Sequence, residues 1–364
     1  MRVLVVTAWF PSSRNPALGS FVEKDAAALS ARHDVEIVHL VAPTLAEPTA
    51  PARPGLVVHS VPMSPSRPDD WGRAARRVGT IAQGFDLVHS MAFPSLLPLL
   101  VSRPRVPWVH TEHWSGVIRP ETLPASWRVG MPVLRQALRR PDAVTAVTDQ
   151  LADAIRRTRR RGATATVPTV VDPPASVAPL PDGDALRLVA VGGLVDGKDP
   201  LLAVETLAEL RRRGMDTSLT WVGGGPLREA VELRARELGV AEHLRLTGAV
   251  PPAAVFDEID RHHVFLLPTR HENFCTSAAE ALVRGRPAVV GSNGGHASYF
   301  TPEIGVLVDE RTSLSFADGV ESARSLLTRR GPEEIAGEVA GRFSSAAVLE
   351  GFERSYAAAI ARHR

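Results

Sequence analysis

Cysteine is almost absent, with Cys275 alone among 364 residues. One thiol closes no intramolecular disulfide and builds no cysteine-based zinc site, which excludes the disulfide-rich secreted class and fits a reducing, cytoplasmic setting. No apolar run is long enough to span a bilayer. The N-terminal MRVLVVTAWFPSS lacks a small-residue cleavage site, so it reads as a first strand and not as a leader. A large excess of one charge is also missing: a net charge of +2 leaves no nucleic-acid footprint, and no zinc-finger or base-stacking motif appears. Lysine is scarce too, since Lys24 and Lys198 are two of 42 basic residues. Where a chain otherwise uses arginine, a retained lysine marks a place where a compact point charge is wanted instead of a planar fork.

What is present is an alternation of short apolar runs with helical patterns, the sequence form of an α/β fold with parallel sheets. At this length two domains of about 180 residues each are expected. In the first half, strands are expected at Val3–Thr7, Val35–Leu40, Leu56–Val61, Leu87–Ser90, Val106–His110, Ala143–Val147 and Ala163–Val167, with helices such as Phe21–Arg32 and Gln150–Arg160 between them. The proline-rich VDPPASVAPLPDGDAL, Val171 to Leu186, is the linker. The second half restarts the pattern with LRLVAVGGL, SLTWVGGG, HLRLTGAV, VFLLP, PAVVG and Gly305–Val308. The expected division is residues 1–178, residues 179–345, and a final helix over residues 346–364. In that helix Val348, Phe352 and Tyr356 recur at fours, the spacing of a face that packs back on the first domain. Two doubly wound domains bind ligands at the carboxyl ends of their strands, in a cleft between them.

Three glycine clusters follow strands in the second half: Gly192-Gly193, Gly223-Gly224-Gly225 and Gly294-Gly295. Each lets backbone approach a ligand or makes a tight turn. Lys198 follows the first cluster in GGLVDGKDP, where an ammonium would meet phosphates. In RHENFCTSAAEALVRGRP, Thr269 to Cys275 form a loop at the carboxyl edge, the helix begins near Ser277, and Glu280 falls in its first turn. Ser277 to Glu280 fits a capping box, which gives Glu280 a structural explanation that Glu272 lacks. Ala278 and Ala279 between them offer a ligand little bulk. No constellation of metal ligands stands out. Asp69-Asp70 in SPSRPDDWG reads as a solvated turn.

This region resembles the E-x7-E stretch of retaining GT-B glycosyltransferases of family 4, continuing as E-A-h-x-x-G-x-P through Glu280, Ala281, Leu282, Gly285 and Pro287. GGLVDGK, WVGGGPL, LTGAV, VFLLPTRHENF and SNGG extend the similarity over nearly the whole second domain. NPALGSFVEKDAAAL, PWVHTEH and VTAVTDQL carry it more loosely into the first. The resemblance implies two Rossmann-like domains facing across a cleft. It also implies sugar transfer with retention from a nucleotide-diphosphate sugar, a UDP- or GDP-sugar, to a small-molecule or glycan hydroxyl, with no metal or other cofactor.

Carried over residue by residue, the resemblance places Glu272 on the donor sugar, Glu280 on the nucleotide ribose and Lys198 on the diphosphate. The amides of Asn273, Phe274, Cys275 and Thr276 hold phosphate, and Gly192, Gly193, Gly223 and Gly224 line the donor site. Gly19 approaches the donor from the first domain. His113 lies near the donor sugar's reacting face, whereas His110 reads as the structural last residue of its strand. The chain departs from the family at three places: Gly193 where an arginine is common, Cys275 where glycine is usual and Thr269 where serine is common. Arg270 is either a substitute phosphate clamp or a solvated loop residue.

Two rival readings share the architecture, a non-transferring sugar-nucleotide epimerase or hydrolase and a catalytically weak nucleotide-sugar binding protein. The basic stretches WRVGMPVLRQALRR and RRTRRRG are the features that raise peripheral membrane contact. Pro132 interrupts the first pattern and charge runs are usually solvated faces, so a soluble acceptor is favoured. The Arg-, Ala- and Pro-rich composition fits a GC-rich bacterial genome and points to secondary-metabolite or cell-envelope glycosylation.

Overall fold

The computed structural model describes residues 1–12, 18–43, 55–122, 125–159 and 161–363. Residues 15–17 of NPALGSFV and Arg160 lie outside them. The chain divides into two units, Met1–Val170 with Ser345–Arg364, and Val171–Ser344.

The first unit holds β1 (Arg2–Thr7), β2 (Asp34–Val41), β3 (Val57–Pro62), β4 (Leu87–Met91), β5 (Trp108–Glu112), β6 (Ala143–Ala146) and β7 (Ala163–Thr166). They form one sheet in the order β3-β2-β1-β4-β5-β6-β7, parallel throughout. The second holds β8 (Leu186–Val191), β9 (Thr217–Val222), β10 (Leu244–Gly248), β11 (Val264–Leu267), β12 (Ala288–Gly291) and β13 (Gly305–Val308). Its order is β10-β9-β8-β11-β12-β13, again parallel. β4, β5, β11 and β12 are buried along their whole length; β11 and β12 are continuous apolar runs, whereas β4 and β5 bury His89, Ser90, His110, Thr111 and Glu112. In each unit the strand order reverses beside the first strand, at β1/β4 and β8/β11. A doubly wound sheet opens a crevice at that reversal.

The fifth strand runs Trp108–Glu112 and not Val106–His110. Pro107 has no N–H to give to the ladder, so pairing starts one residue later and His110 sits mid-strand. SPSRPDDWG is not a solvated turn. A helix starts at Pro68 and runs to Ile81, and Asp70 is buried at its first turn, accepting from Ser64 N at 3.1 Å and pairing with Arg73. A proline at the first position and two acids in the first turn are helix-start signals that the neighbouring prolines obscured.

Pro132 lies inside the helix Ala125–Leu134 and does not end it. That helix leaves Val129 80% and Val133 75% exposed. In RRTRRRG the charge is not all solvated. Arg159 is buried and donates to Leu138 O at 2.8 Å and Asp142 O at 2.7 Å, and burial lowers its pKa to about 10. No helix among the described residues is long and apolar enough to cross a membrane.

The final helix, Ser345–His363, belongs to the first unit. Val348, Leu349, Phe352, Tyr356 and Ala359 join that unit's core cluster, and Tyr356 Oη meets His89 Nδ1 at 2.8 Å. The seam between units falls at Val170, ahead of the expected 178. The second unit holds this stretch from its start, where Val171 N donates to Phe343 O at 2.8 Å, through Ala178 and Pro179, which Arg286 binds. The fully buried Arg286 guanidinium donates to Ala178 O and Pro179 O at 2.9 Å each, to Asp260 O at 2.6 Å, and to His262 O and Arg284 O at 2.9 Å each.

Arg286→Ala would leave those buried carbonyls without a donor. Denaturant unfolding is expected to show a loss of at least about 3 kcal/mol, well above that of an ordinary surface arginine.

Candidate functional site

In the second unit, the chain leaving β8 turns at Gly192-Gly193 and reaches Lys198, while the chain leaving β11 passes Thr269 to Glu272. These adjacent strands flank the reversal of order, so the two loops start side by side. Lys198 Nζ and Glu272 Oε1 are in direct contact, with side chains 26% and 15% exposed. Burial alone would lower the Lys198 pKa, but the Glu272 carboxylate outweighs it and the ammonium is held above its usual range. Thr269 Oγ1 donates to Gly197 O at 2.9 Å and lies 3.3 Å from Glu272 Oε1, joining both loops.

The backbone of Glu272 is clamped by the loop after β12. Glu272 N donates to Asn293 O at 3.2 Å and Gly295 N to Glu272 O at 3.1 Å. A Cβ at Gly294 would overlap the Glu272 carbonyl oxygen, so this approach requires glycine.

Cys275 precedes the helix Thr276–Leu282 with φ 56, a left-handed conformation unusual for a side-chain residue. It is the N-cap, and no side chain caps the helix. The expected capping box is therefore absent: Ser277 lies inside the helix, and Glu280 is in its second turn, half-buried. Ala278 and Ala279 pack inward, fully buried, instead of making room for a ligand. Tyr299 Oη, also buried, donates to Phe274 O at 2.8 Å and Cys275 O at 3.1 Å. In a planar trans peptide the N–H opposes the C=O, so the amides of Cys275 and Thr276 point away from Tyr299.

Gly193 brings no cation. Arg270, half exposed, is engaged by Asp199 at 3.1 Å and Asp196 at 3.5 Å. Arg311, with no motif around it to draw attention, pairs with Asp199 and donates to Thr269 O at 2.7 Å and Pro268 O at 2.8 Å, fixing the end of β11. Gly192 O accepts from Trp221 Nε1 at 2.8 Å. Gly223 N donates to Gly248 O at 3.0 Å and Leu194 N to Gly224 O at 2.9 Å, so these glycines form close backbone turns. The structure thus gathers Lys198, Glu272, Gly192, Gly193 and residues 273–276 at one edge. Thr269, Asp199, Tyr299 and Arg311 support them. Of these only Thr269 stands in a recognisable motif, although Asp199 follows the lysine directly and Tyr299 is one of two tyrosines in the chain.

In the first unit, Gly19 has φ 70 and precedes the helix Ser20–Ser30; a Cβ there would overlap the carbonyl of Trp9. His113 is the first residue after β5. The fully buried Glu112 accepts from His113 N at 2.9 Å and Trp114 N at 2.8 Å, and meets His110 Nε2 at 3.2 Å. His110 Nδ1 also lies 2.9 Å from Ser90 Oγ, so the structural role expected for His110 is the one it has. The His113 ring packs on Phe21 at 4.5 Å between centroids, and burial, with His110 nearby, lowers its pKa to about 3.

The family model described as "Glycosyl transferases group 1" matches residues 176–329, and that described as "Glycosyltransferase Family 4" matches residues 20–174. The chain is 35% identical over 198 residues to a GDP-mannose-dependent alpha-(1-6)-phosphatidylinositol monomannoside mannosyltransferase of Mycolicibacterium smegmatis, covering 45% of this chain and 49% of that one. It is 29% identical over 210 residues to a 2-deoxystreptamine glucosyltransferase of Streptomyces kanamyceticus, covering 52% and 54%. The matched segment thus spans about half the length of these curated relatives. A sucrose-phosphate synthase structure from Thermosynechococcus elongatus superposes with a TM-score of 0.79 over 98% of both chains, at 17% identity, which shows a shared fold.

Burial, with the Glu272 charge beside it, raises the Cys275 pKa to about 12. At pH 8 the thiol is therefore protonated, and its reaction with an aromatic disulfide reagent should be at least about a hundredfold slower in the native protein than after denaturation.

Proposed function

The chain belongs to the glycosyltransferases of group 1 and family 4, with the GT-B fold, and on that premise we propose that it is a retaining, metal-independent transferase that moves a sugar from a nucleotide-diphosphate donor to a hydroxyl-bearing acceptor. The observation that carries this reading is the contact of Lys198 with Glu272 at the β8/β11 reversal, beside a glycine turn and two outward amides.

When the anomeric C–O bond breaks, its electron pair leaves with the diphosphate and negative charge grows on the phosphate oxygens. Lys198 and the amides of Cys275 and Thr276 are fixed positive ends aimed at such charge, the kind of preorganised stabilisation that lowers a barrier without a Lewis acid. Glu272 accepts from the donor sugar's hydroxyls and Glu280 from the ribose. The acceptor oxygen bonds to the anomeric carbon on the face that the diphosphate leaves, and its proton passes to the departing phosphate oxygen. To the first unit the family resemblance assigns Gly19 and His113. Among the described residues no group of three or more His, Cys, Asp or Glu could hold a metal ion.

The names of the two relatives refer to phosphatidylinositol monomannoside and 2-deoxystreptamine. Both contain a six-membered carbocycle bearing hydroxyls, so a soluble cyclitol is the acceptor class to test first, with a lipid-linked one second. GDP- and UDP-sugars are the donors to test first. One observation favours a weaker reading, a nucleotide-sugar binder with little turnover: Gly193 supplies no cation, and Arg270 is already engaged by two carboxylates.

A thermal-shift screen with UDP, GDP, ADP, dTDP and their sugars, with and without EDTA, should show stabilisation by one base that EDTA does not alter. Nucleotide release should then follow addition of an acceptor. Lys198→Ala and Glu272→Ala are each expected to lower turnover by about a hundredfold or more while the protein stays folded. Near-normal turnover in both variants would overturn the site, and binding without release would favour the weaker reading.

A further inference from the structure

One buried ionisable group has no part in the chemistry described so far. Asp25 lies on the helix Ser20–Ser30 among Val22, Ala26 and Leu29, positions that form part of the first unit's apolar core, and it is 1% exposed. A carboxyl at a core position costs several kcal/mol of desolvation unless it is paired. Its Oδ1 accepts from Val170 N at 3.2 Å. Its Oδ2 makes no hydrogen bond and lies 3.8 Å from Nε2 of His113.

We propose that Asp25 is the positioning residue for His113, its second oxygen fixing the orientation and tautomer of the imidazole. The inference rests on the role given to His113 in the transferase reading. Three independent constraints converge on that one residue. Glu112 holds its backbone N–H, Phe21 holds the ring face, and Asp25 stands opposite one ring nitrogen.

The proton inventory agrees with this geometry. Burial raises the Asp25 pKa to about 8 and lowers that of His113 to about 3, so at neutral pH the carboxyl keeps its proton and the imidazole is neutral. Neither Oδ2 nor Nε2 makes another hydrogen bond, so closing the 3.8 Å gap would let the Asp25 O–H donate to Nε2 and leave the ring's own hydrogen on Nδ1. A donor opposite Nε2 favours the tautomer that carries its hydrogen on Nδ1.

The test uses the full chain labelled with 15N and the variants Asp25→Asn and Asp25→Leu, with His113→Gln to assign the His113 ring signals. In the wild type, His113 should show one protonated nitrogen, Nδ1, and one bare nitrogen, Nε2. Asp25→Asn keeps both an acceptor for Val170 N and a donor toward Nε2. It should preserve that pattern and at least about a third of kcat, whereas Asp25→Leu should average the two ring nitrogens and lower kcat by about tenfold or more with donor KM within about twofold. An unchanged His113 pattern in Asp25→Leu would overturn the proposal, and so would an altered pattern in Asp25→Asn. If Asp25→Leu fails to fold, the Asn variant and the wild-type tautomer still decide the question. Should no nucleotide sugar turn over at all, the transferase reading fails while the ring-nitrogen measurement still tests the positioning role.

Discussion

The contact between Lys198 and Glu272 is the point on which the second unit's architecture converges. It joins the loops that leave β8 and β11, the strands on either side of the order reversal, and it places one positive and one negative group at the sheet's carboxyl edge. Such a pair adds little to net stability, because removing two charges from water costs about as much as their attraction returns. The scaffold holds the pair, not the reverse. Thr269 bridges the two loops, the Asn293–Gly295 backbone grips Glu272 from above and below, and Arg311 fixes the strand end beneath them.

Backbone strain follows the same map. Among the described residues the non-glycine positions with positive φ are Ala92, Asp199 and Cys275, each following a strand at one of the two reversals. A side-chain residue held there costs about 1–3 kcal/mol and persists only where the surroundings over-determine it. At Cys275 the surroundings are identifiable, since the Tyr299 hydroxyl takes the carbonyls on both sides of the peptide and leaves the amides facing the other way. At Asp199 the fixing partners are the Arg270 and Arg311 guanidinium groups. The cations near the glycine turn thus serve first to shape the loop that carries Lys198.

In the first unit a buried polar chain does comparable work. Tyr356 on the final helix meets His89, His89 Nε2 meets Thr111 Oγ1 at 2.6 Å, and Thr111 meets Thr145 at 2.6 Å. This chain crosses β4, β5 and β6. A fully satisfied network of this kind permits only one register, which explains how a helix more than 170 residues from the rest of its unit in sequence finds a unique seat. Neighbouring on the same strands, Glu112 satisfies the amides at the end of β5, so the chain enters the His113 turn already fixed.

The sequence alone determined the strand and helix alternation, because parallel strands buried on both faces read as short, mostly apolar runs between helical patterns, and glycine stands where backbones touch. It also singled out Lys198 and Glu272, which lie on the loops after β8 and β11 and meet at the sheet's carboxyl edge. It misread what depends on neighbours distant in the chain. The helix at Pro68 was hidden by surrounding prolines, the capping box at Ser277 was displaced by the left-handed turn at Cys275, and the seam lies at Val170 where Val171 N pairs with the distant Phe343 O. Tertiary structure alone decided that Lys198 touches Glu272 and that Tyr299 aims the amides. It also decided that Arg270 is engaged by acids and that Asp25 faces His113. Contacts of that kind link residues on separate strands or helices, and sequence periodicity reports which face a residue occupies, not which atom it meets.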